Sequence, residues 1–457
     1  MKEWIHRLVA AGCAAALMLL AGCGAPVPEP VTPEGYGTGP SEATQSESPA
    51  PESEAGEEHP VTEPPPDRVV PAIGGEGHLC GLPPVDTLGA AYRTGYETFT
   101  VRMLQELYGK PEAINGVFFS PASLYMALGM AAEGMRGSTL EQTLSLLAAE
   151  DRPALRQGNR ELQSLMSGNT KGYFHLANAV WLRESFASCV KPGFLDLNRE
   201  YYGAKVALHP FDTSLVPDVN RWVSDNTDGL IPRLLDEVPD GTLALLMNTV
   251  LFDGKWLVPF GFTRDGVFHG ADGDVDIPMM TQKADRPWIE DSLAQVTLLD
   301  YLDERTAMLV AVPKGTLDGL VRDLRPGTLS GWLSGMKEET TSVTMPRFSL
   351  KYGGSLKKTL QAMGMTDAFD ERKADLSDMA DGLFLGDVIH KTALQVGEAG
   401  TKAAAATAVA VCGTAAVIEE PKILVADRPF LCMILDKPTG AVLFAGTVEN
   451  PQILGAD

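Results

Sequence analysis

Basic residues are scarce in this chain, which has 37 Lys and Arg against 60 Asp and Glu and a formal net charge of −23 at pH 7. Between Cys23 and Arg68 there is no Lys or Arg at all. Nucleic acid is a polyanion, so a chain this acidic is not expected to bind it. The excess of negative charge by itself indicates only solubility.

Cysteine is also rare, with six residues in 457. Cys13 and Cys23 lie in an N-terminal segment that we interpret below as a processed signal, so four cysteines remain: Cys80, Cys189, Cys412 and Cys432. Their spacing contains no CxxC pair and no metal-like cluster, and we predict no disulfide framework. We interpret Cys412 as an incidental small residue, the alternative being an exposed thiol that is open to oxidation.

The motifs of common enzyme families are missing. There is no G-x-S-x-G elbow, no H-E-x-x-H and no P-loop. Asp272, Asp274 and Asp276 have the spacing of a calcium loop, but Ile277 occupies the position that requires glycine, so we interpret them as a solvated hairpin tip. We therefore predict no catalytic residue, no metal site and no cofactor, and the chain is not expected to be an enzyme.

The N-terminus has the layout of an export signal. Lys2 and Arg7 precede an apolar stretch over Leu8–Leu20, which is followed by Leu20-Ala21-Gly22-Cys23. This order predicts a lipoprotein signal peptide over residues 1–22 and lipidation of Cys23. The alternative is an ordinary secretory signal that is cut after a small residue. Either interpretation predicts an extracytoplasmic protein, anchored at the cell surface by lipid or released.

Residues 23–86 are rich in Pro, Glu, Ser and Thr and show no apolar periodicity. Such a segment cannot bury enough surface to offset its ordering entropy, so we predict a lipid anchor followed by a disordered stalk. Residues 87–457 form the folded domain. Helical periodicity is clear over Tyr96–Tyr108 and over Leu140–Ala148, the latter preceded by a predicted capping box of Ser138 and Glu141. Strand patterns dominate from Leu243 onward, which indicates an α+β fold.

Residues 398–411 combine small side chains with the two-residue alternation of a strand. From Thr401, one set of alternate positions gains β-branched bulk up to Val411, while the other set, beginning at Lys402, stays small. Ala403–Ala406 would also suit a helix by propensity, and a helix stays possible when the segment is free. The pattern favours a segment that exists both as a loop and as a buried strand. The apolar run is too short for a membrane span.

The surrounding motifs carry a family resemblance. An alternating strand pattern over Val388–Glu398 leads into the small-residue segment, and two further strand patterns are joined at residues 437–440. The upstream motifs are Phe118-Phe119-Ser120-Pro121-Ala122-Ser123-Leu124, Ala177-Asn178-Ala179-Val180-Trp181, Val219-Asn220-Arg221-Trp222-Val223, Met247–Trp256 and Met345-Pro346-Arg347-Phe348. In this order, and over roughly residues 88–457, the chain resembles the serpins.

The resemblance implies a serpin fold, with an α-rich N-terminal half, several mainly antiparallel sheets and an exposed reactive loop. It further implies an irreversible serine protease inhibitor, in which the protease cleaves the loop, forms a covalent acyl complex and is trapped when the freed segment inserts into the central sheet. Small side chains suit rapid insertion because no bulky or charged group has to be desolvated. The loop hinge implied by the resemblance consists of Glu398, Gly400, Thr401, Ala403, Ala404, Ala405 and Ala406.

In this family the sheet opens over a polar cluster, whose matching residues here are Ser120, Ser123, Asn248 and His390. Trp256 matches the tryptophan at the top of the sheet, where insertion begins. The position of His390 among apolar strand residues independently indicates a hydrogen-bonded core histidine. One departure is Gly116, which stands where the family usually has Asn, while Asn115 is displaced by one position.

The family's usual loop register places the reactive bond between Thr414 and Ala415, sixteen residues on from Glu398. Cleavage after Ala415, Ala416 or Val417 is also open. Between Ala403 and Pro421 there is no Lys, Arg, Phe, Tyr, Trp, Leu or Met. We therefore predict a monomeric inhibitor whose partner is an elastase-like serine protease, because such enzymes accept small residues. The alternative is a non-inhibitory serpin that acts as a surface-binding or chaperone-like protein.

Overall fold

The computed structural model describes residues 9–21, 84–110, 113, 115–167, 174–398 and 420–453. Across these ranges, no helix is both long enough and apolar enough to cross a membrane. Several positions singled out from the sequence lie outside them: Cys23, Cys80, Gly400, Thr401, Ala403–Ala406, Cys412, Thr414 and Ala415. Within them, Cys13, Cys189 and Cys432 are free thiols.

Helices dominate the first half of the described chain, and the later ones are short. The predicted helix over Tyr96–Tyr108 is confirmed, although it begins earlier, at Ala90. The helices are α1 (Ala90–Leu107), α2 (Pro121–Ala132), α3 (Gly137–Leu146), α4 (Arg152–Ser167), α5 (Pro192–Tyr202), α6 (Leu215–Asn226), α7 (Leu317–Asp323), α8 (Thr328–Gly335) and α9 (Lys357–Ala362).

The predicted capping box at α3 is wrong. The helix begins at Gly137 with Arg136 as its cap, so Ser138 already lies inside the first turn. Its hydroxyl donates to Asp367 Oδ2 at 2.8 Å instead of capping the helix. A tertiary partner has therefore taken the side chain that local propensity assigned to the helix end.

The strands lie in two sheets. The strands are β1 (Val9–Ala21), β2 (Phe118–Phe119), β3 (Phe174–Arg183), β4 (Lys205–His209), β5 (Thr242–Asp253), β6 (Phe262–Gly270), β7 (Gly273–Glu290), β8 (Ala294–Asp300), β9 (Thr306–Pro313), β10 (Lys337–Pro346), β11 (Phe348–Ser355), β12 (Leu383–Val396), β13 (Lys422–Val425), β14 (Phe430–Asp436), β15 (Val442–Val448) and β16 (Gln452–Ile453).

The central sheet has the order β16-β11-β12-β1-β5-β3-β4, and the second sheet has the order β13-β10-β7-β8-β9-β14-β15-β2, with β6 paired to β7. Pairing is antiparallel except between β3 and β4 and between β10 and β13. The predicted hairpin tip is confirmed for Asp272, which lies in the turn between β6 and β7, whereas Asp274 and Asp276 are exposed residues at the start of β7. These sheets, together with the early helices, confirm an α+β architecture.

The central sheet is covered on both faces. Its inner face packs on the main core, in which helix α2 is buried along its whole length. Its outer face packs on α6 through a smaller cluster that includes Trp181, Val219 and Val223. Each strand of this sheet therefore places alternate side chains in two different apolar environments.

Strand β1 was not expected, since the sequence assigned residues 9–21 to a signal peptide. It lies between β5 and β12 and is antiparallel to both. Cys13, Ala15, Leu17 and Leu19 face the main core, whereas Ala14, Ala16 and Met18 face the α6 cluster. Removal of residues 1–22 from the chain in the cell stays a prediction.

The departure at Gly116 has a steric reason. Its φ of +123° is strained for any other residue, and a Cβ there would lie 2.1 Å from the carbonyl oxygen of Thr447. Asn115 contributes through its backbone, because its carbonyl accepts from the amides of Glu449 and Asn450 at 3.1 and 3.2 Å. An Asn side chain at position 116 is therefore excluded by the close approach of the backbone at the end of β15.

Candidate functional site

The candidate site is the seam between β5 and β12, together with the start of the loop that follows β12. The described chain stops at Glu398 and resumes at Glu420. The predicted reactive bond and all hinge positions except Glu398 lie in the interval between them, outside the described residues. The described part of the site therefore consists of the two strands, the loop start and the buried polar residues beneath the strands.

Trp256 holds the start of the loop, at the place where the sequence predicted the top of the sheet. Its indole Nε1 donates to the carbonyl oxygen of Gly397 at 2.9 Å, and its side chain is only 2 % exposed. The indole stacks on Tyr301 with ring centroids 4.6 Å apart. Because the ring is packed and its N–H is paired, it fixes the main chain directly after β12.

Glu398 is held through both its main chain and its side chain. Its carbonyl oxygen accepts from the amide of Phe260 at 3.1 Å. Its carboxylate accepts from the Thr263 hydroxyl at 2.9 Å and forms an ion pair with Arg347 at 3.6 Å. Sequence reasoning quoted Arg347 within a motif but gave it no role. The contact shows that the first hinge residue is anchored, so any movement of the loop begins after it.

Three of the four predicted cluster residues lie together beneath the sheet. Ser120 caps α2 by accepting from the Ser123 amide at 3.1 Å, and its own hydroxyl donates to the Leu443 carbonyl at 2.7 Å. The backbone amide of Ser120 donates to His390 Nε2 at 3.2 Å. The prediction of a hydrogen-bonded core histidine is confirmed, and the N-terminus of α2 is tied to β12.

Burial determines the charge state of His390. The residue is fully buried, and desolvation lowers its pKa from 6.5 to about 3. The imidazole is therefore neutral at physiological pH. Because Nε2 accepts a hydrogen bond from Ser120, the proton resides on Nδ1, and Nδ1 is a donor. That donor is buried and has no partner among the described residues.

Asn248, the fourth predicted residue, lies on the other side of β1. Its Nδ2 donates to Asn178 Oδ1 at 2.7 Å, and Asn178 Nδ2 donates in turn to the carbonyl of Tyr202 at 2.6 Å. Sequence reasoning gave Asn178 no role, although an Asn in the middle of an apolar strand was a usable signal. Asn248 Oδ1 is a buried acceptor that lacks a partner within the described ranges.

Ala15 of β1 separates the two halves of the cluster. It lies opposite His390 on β12 and opposite Asn248 on β5. Side chains directly opposite each other across an antiparallel pair point to the same face, and the two outer strands are about 10 Å apart, or two strand spacings. A methyl group thus lies between an unpaired donor and an unpaired acceptor. The seam accepts a strand here, but this strand leaves its polar groups unsatisfied.

Cys13 continues the same face one pleat away. It lies opposite Thr392 on β12 and Val250 on β5. Burial raises the pKa of its thiol to about 11, and the neighbouring Ser123 and Ser120 hydroxyls offset part of that rise. The thiol is therefore protonated and serves as a small buried side chain over the N-terminus of α2.

The serpin (serine protease inhibitor) family model matches residues 94–451 of this chain. An uncharacterised serpin-like protein of Thermococcus kodakarensis is 34% identical over 367 residues, which cover 78% of this chain and 84% of the relative. Mouse neuroserpin (Mus musculus) is 30% identical, with 78% of this chain and 91% of the relative covered. The leukocyte elastase inhibitor of Xenopus laevis is 31% identical, with 73% and 93% covered.

Solved structures agree with these relatives. The thermophilic serpin tengpin in its native state gives a TM-score of 0.69 at 24% identity and covers 81% of this chain and 97% of its own. The same protein in its latent state gives a TM-score of 0.65 at 21% identity, with 80% and 99% covered. At such identities the likeness shows the fold, and it confirms the predicted architecture.

Proposed function

The chain belongs to the serpin family of serine protease inhibitors, and we propose that it traps its target protease irreversibly by inserting its reactive loop between β5 and β12. The observation that carries this proposal is that the two strands are one strand spacing too far apart to pair with each other, and that the seam between them accepts an antiparallel strand over 13 residues. The position between β5 and β12 can therefore be filled by a strand from a distant part of the chain.

The direction of the accepted strand supports the proposal. β1 begins opposite Val396, at the loop start, and ends opposite Leu383. A segment that turns back after Glu398 would enter the seam from the same end and run in the same direction. The alternation from Thr401 to Val411 gives that segment a core-facing and an outer set of side chains, as β1 has.

The unpaired polar atoms also support it. If the chain reverses over residues 397–400, Thr401 lies opposite Val396, and the same count puts Thr407 opposite His390, where Ala15 now lies. A threonine hydroxyl can accept from His390 Nδ1–H and donate to Asn248 Oδ1. The loop would then satisfy both groups, and satisfying a buried group contributes about 1 kcal/mol or more.

The chemistry of trapping follows from the protease's own reaction. The protease serine attacks the Thr414 carbonyl, an Oγ–C bond forms, the C–N bond to Ala415 breaks, and the proton passes to the new amino terminus. Water would normally release the acyl group. Insertion of the freed segment carries the attached protease away from the loop start and distorts its active site before that hydrolysis.

We propose elastase-like enzymes as targets because every candidate cleavage position from Thr414 to Val417 is small or aliphatic. The Xenopus laevis relative named as a leukocyte elastase inhibitor is consistent with this class. Replacing Thr414 by Arg should move the inhibition preference toward trypsin. Mapping of the cut by mass spectrometry outside residues 412–418 would show that the register is wrong.

The decisive experiment mixes an elastase with the chain that begins at residue 23 and carries Cys23→Ser, after its cooperative unfolding has been verified. We expect a complex that survives SDS and has the summed mass of the protease and the N-terminal fragment. Trypsin serves as the specificity control. Complete cleavage without a complex would favour the non-inhibitory alternative of a surface-binding or chaperone-like serpin.

The export proposal rests on the sequence over residues 1–23. We propose an extracytoplasmic protein that is held at the membrane through lipid on Cys23, with residues 24–86 as a stalk. Cys23→Ser should abolish lipid labelling in a bacterial host and release the protein or leave it unprocessed. Unchanged labelling would refute the assignment.

A further inference from the structure

We propose that residues 9–21 are an autoinhibitory strand: while they occupy the seam between β5 and β12, the reactive loop cannot insert, and the chain cannot trap a protease until they leave. This inference rests on the proposed trapping function and adds a control to it. Its basis is the position, burial and pairing of β1 in the full chain.

Occupancy of the seam by β1 is complete. The strand pairs with β12 from Val9 to Ala21 and with β5 from Ala10 to Leu20. Cys13 to Leu19 are at most 4 % exposed, so both faces of the strand are covered. Neighbouring strands lie about 4.8 Å apart, and the space between β5 and β12 therefore holds one strand only. The loop and β1 are mutually exclusive occupants.

β1 and the reactive-loop residues 405–411 have similar residue patterns, and we propose the same position in the sheet for both. The pairing register that places Thr407 opposite His390 aligns the core-facing residues of β1 with alternate residues of the loop, namely Cys13, Ala15, Leu17 and Leu19 with Ala405, Thr407, Val409 and Val411. On the outer side it aligns Ala14, Ala16 and Met18 with Ala406, Ala408 and Ala410. Each position is small or aliphatic in both segments, so a seam shaped for the loop also accepts β1.

In the middle of the strand, from residue 13 to residue 19, the occupants differ at one polar position, and Thr401 and Lys402 add two further polar side chains where β1 has Val9 and Ala10. Ala15 leaves His390 Nδ1 and Asn248 Oδ1 without partners among the described residues, whereas the aligned Thr407 carries a hydroxyl, which can both accept and donate a hydrogen bond. β1 is therefore the less well matched ligand of the seam. A strand that holds the seam without satisfying it can be displaced or removed, which suits a temporary inhibitor.

The sequence supplies a route of removal. The predicted signal cleavage falls between Gly22 and Cys23, directly after the last residue of β1. One cut there would separate the autoinhibitory strand from the rest of the chain. The step that exports the protein would thus also free the seam, and trapping would be confined to processed molecules.

The test compares full-length chains that differ at position 15. Ala15→Arg puts a charge between the two halves of the buried cluster and should expel β1, whereas Glu3→Arg places the same side chain outside the strand, with a larger change in net charge, and is the control. With elastase, we expect the wild type and Glu3→Arg to be cut without a stable complex. Ala15→Arg should form at least tenfold more SDS-resistant complex.

Thiol labelling of Cys13, read by peptide mass spectrometry, measures occupancy without any protease. Cys13 should be protected in the wild type and in Glu3→Arg, and labelled at least tenfold faster in Ala15→Arg. Ala15→Thr should slow labelling further, because its hydroxyl reaches the two unpaired groups. Equal labelling in the wild type and Ala15→Arg would overturn the proposed occupancy.

The outcomes separate this inference from the proposed function. If the full-length wild type traps elastase while Cys13 stays protected, β1 does not block insertion and the inference fails, while the inhibitor function stands. If neither Ala15→Arg nor the chain beginning at residue 23 forms a complex, the inhibitor function fails, and with it the inference that rests on it.

Discussion

The seam around β1 and the centre of the second sheet are both buried, yet they are built differently. In the second sheet, β14 pairs with β9 and β15, and β14 and β15 are consecutive strands joined by a short turn at residues 437–440. In the central sheet, β1 joins β5 and β12 from a distant part of the chain. One arrangement joins strands that are neighbours in the sequence, and the other joins strands that are far apart in it.

The polar groups at the end of β14 differ from those in the seam in the same way. Asp436, at the end of β14, accepts from the Thr439 amide and hydroxyl at 3.1 and 2.6 Å and forms an ion pair with Arg305. Burial raises the pKa of its carboxyl, and hydrogen bonds from Thr439 together with the Arg305 charge oppose that rise. In the seam, by contrast, His390 Nδ1 and Asn248 Oδ1 have no partner among the described residues.

The apolar side chains complete the contrast. The residues of β14 from Phe430 to Leu435 are all buried and mostly large, whereas Ala14, Ala15 and Ala16 occupy the middle of β1. A buried CH2 group contributes about 0.8 kcal/mol, so a run of alanines binds a strand weakly for its length. The comparison teaches that β14 buries larger side chains than the middle of β1, which is the difference that the proposed exchange of seam occupants requires.

The largest expected effect comes from a charge in the segment that is to enter the seam. In the chain beginning at residue 23, Thr401→Arg should abolish the elastase complex while leaving cleavage intact, because insertion would bury an uncompensated charge at a cost of several kcal/mol. Lys402→Arg is the matched control, because residue 402 is already positively charged and belongs to the other set of alternate positions.

The same chain provides a second measurement. Cleavage of the wild type should raise its melting temperature strongly, because the inserted segment adds a paired strand, and cleavage of Thr401→Arg should not. Wild-type amounts of complex from Thr401→Arg, or an unchanged melting temperature after cleavage of the wild type, would contradict the insertion mechanism.

The second prediction concerns the second sheet, at the end of β14. Asp436→Ala removes a carboxylate that is 3 % exposed, which deprives the Thr439 hydroxyl of its acceptor and leaves Arg305 with only the Val85 carbonyl and the exposed Asp86. We expect a loss of about 3 kcal/mol in the free energy of unfolding, as when one partner of a buried ion pair is deleted. Asp86→Ala removes the exposed partner of the same arginine, 2.9 Å away, and should lose less than about 1 kcal/mol. Urea unfolding of the full-length chains measures both values, and equal losses would invalidate the comparison.

These two regions also differ in how far the sequence predicts them. Helix α1 and the β14–β15 hairpin follow from local signals, namely apolar periodicity and the turn residues Pro438 and Gly440. Trp256 and Ser120 could be singled out because each lies within a recognisable motif, and the roles that the resemblance implies for them stay predictions. Local signals are sufficient where the pairing partners are close in sequence.

The seam could not be predicted in this way. The apolar run of β1 has the composition of an export signal, and nothing in it specifies partners as distant as Asn248 and His390. The failed capping box has a similar cause, because the hydroxyl of Ser138 is taken by Asp367, 229 residues further along the chain. Both differences arise from tertiary contacts, which periodicity does not encode.

The third prediction uses pH to probe the seam. His390 binds a proton in the unfolded chain below about pH 6.5 but in the folded chain only near pH 3, so stability should fall as the pH falls through this window. The linkage predicts a loss of about 2 kcal/mol between pH 7 and pH 5. His390→Gln, whose side-chain oxygen can still accept from Ser120, should flatten this slope. His175→Gln changes an exposed histidine on β3 and is the control.

The smallest expected effect is at the loop start, where main-chain contacts and side-chain contacts can be separated. Glu398→Gln keeps an acceptor for the Thr263 hydroxyl but removes the charge that faces Arg347 at 3.6 Å. Both side chains are partly exposed, so the ion pair should contribute less than about 1 kcal/mol, and less again in high salt. The carbonyls of Gly397 and Glu398 would remain held by Trp256 and Phe260.

We therefore expect Glu398→Gln to cause a small, salt-dependent loss in the free energy of unfolding, measured by urea unfolding. Glu398→Ala, which also removes the acceptor for Thr263, should lose more. If Glu398→Gln instead destabilises the chain as much as Asp436→Ala, the side chain of Glu398 fixes the loop start. The strand between β5 and β12 would then be harder to exchange than the comparison with the second sheet indicates.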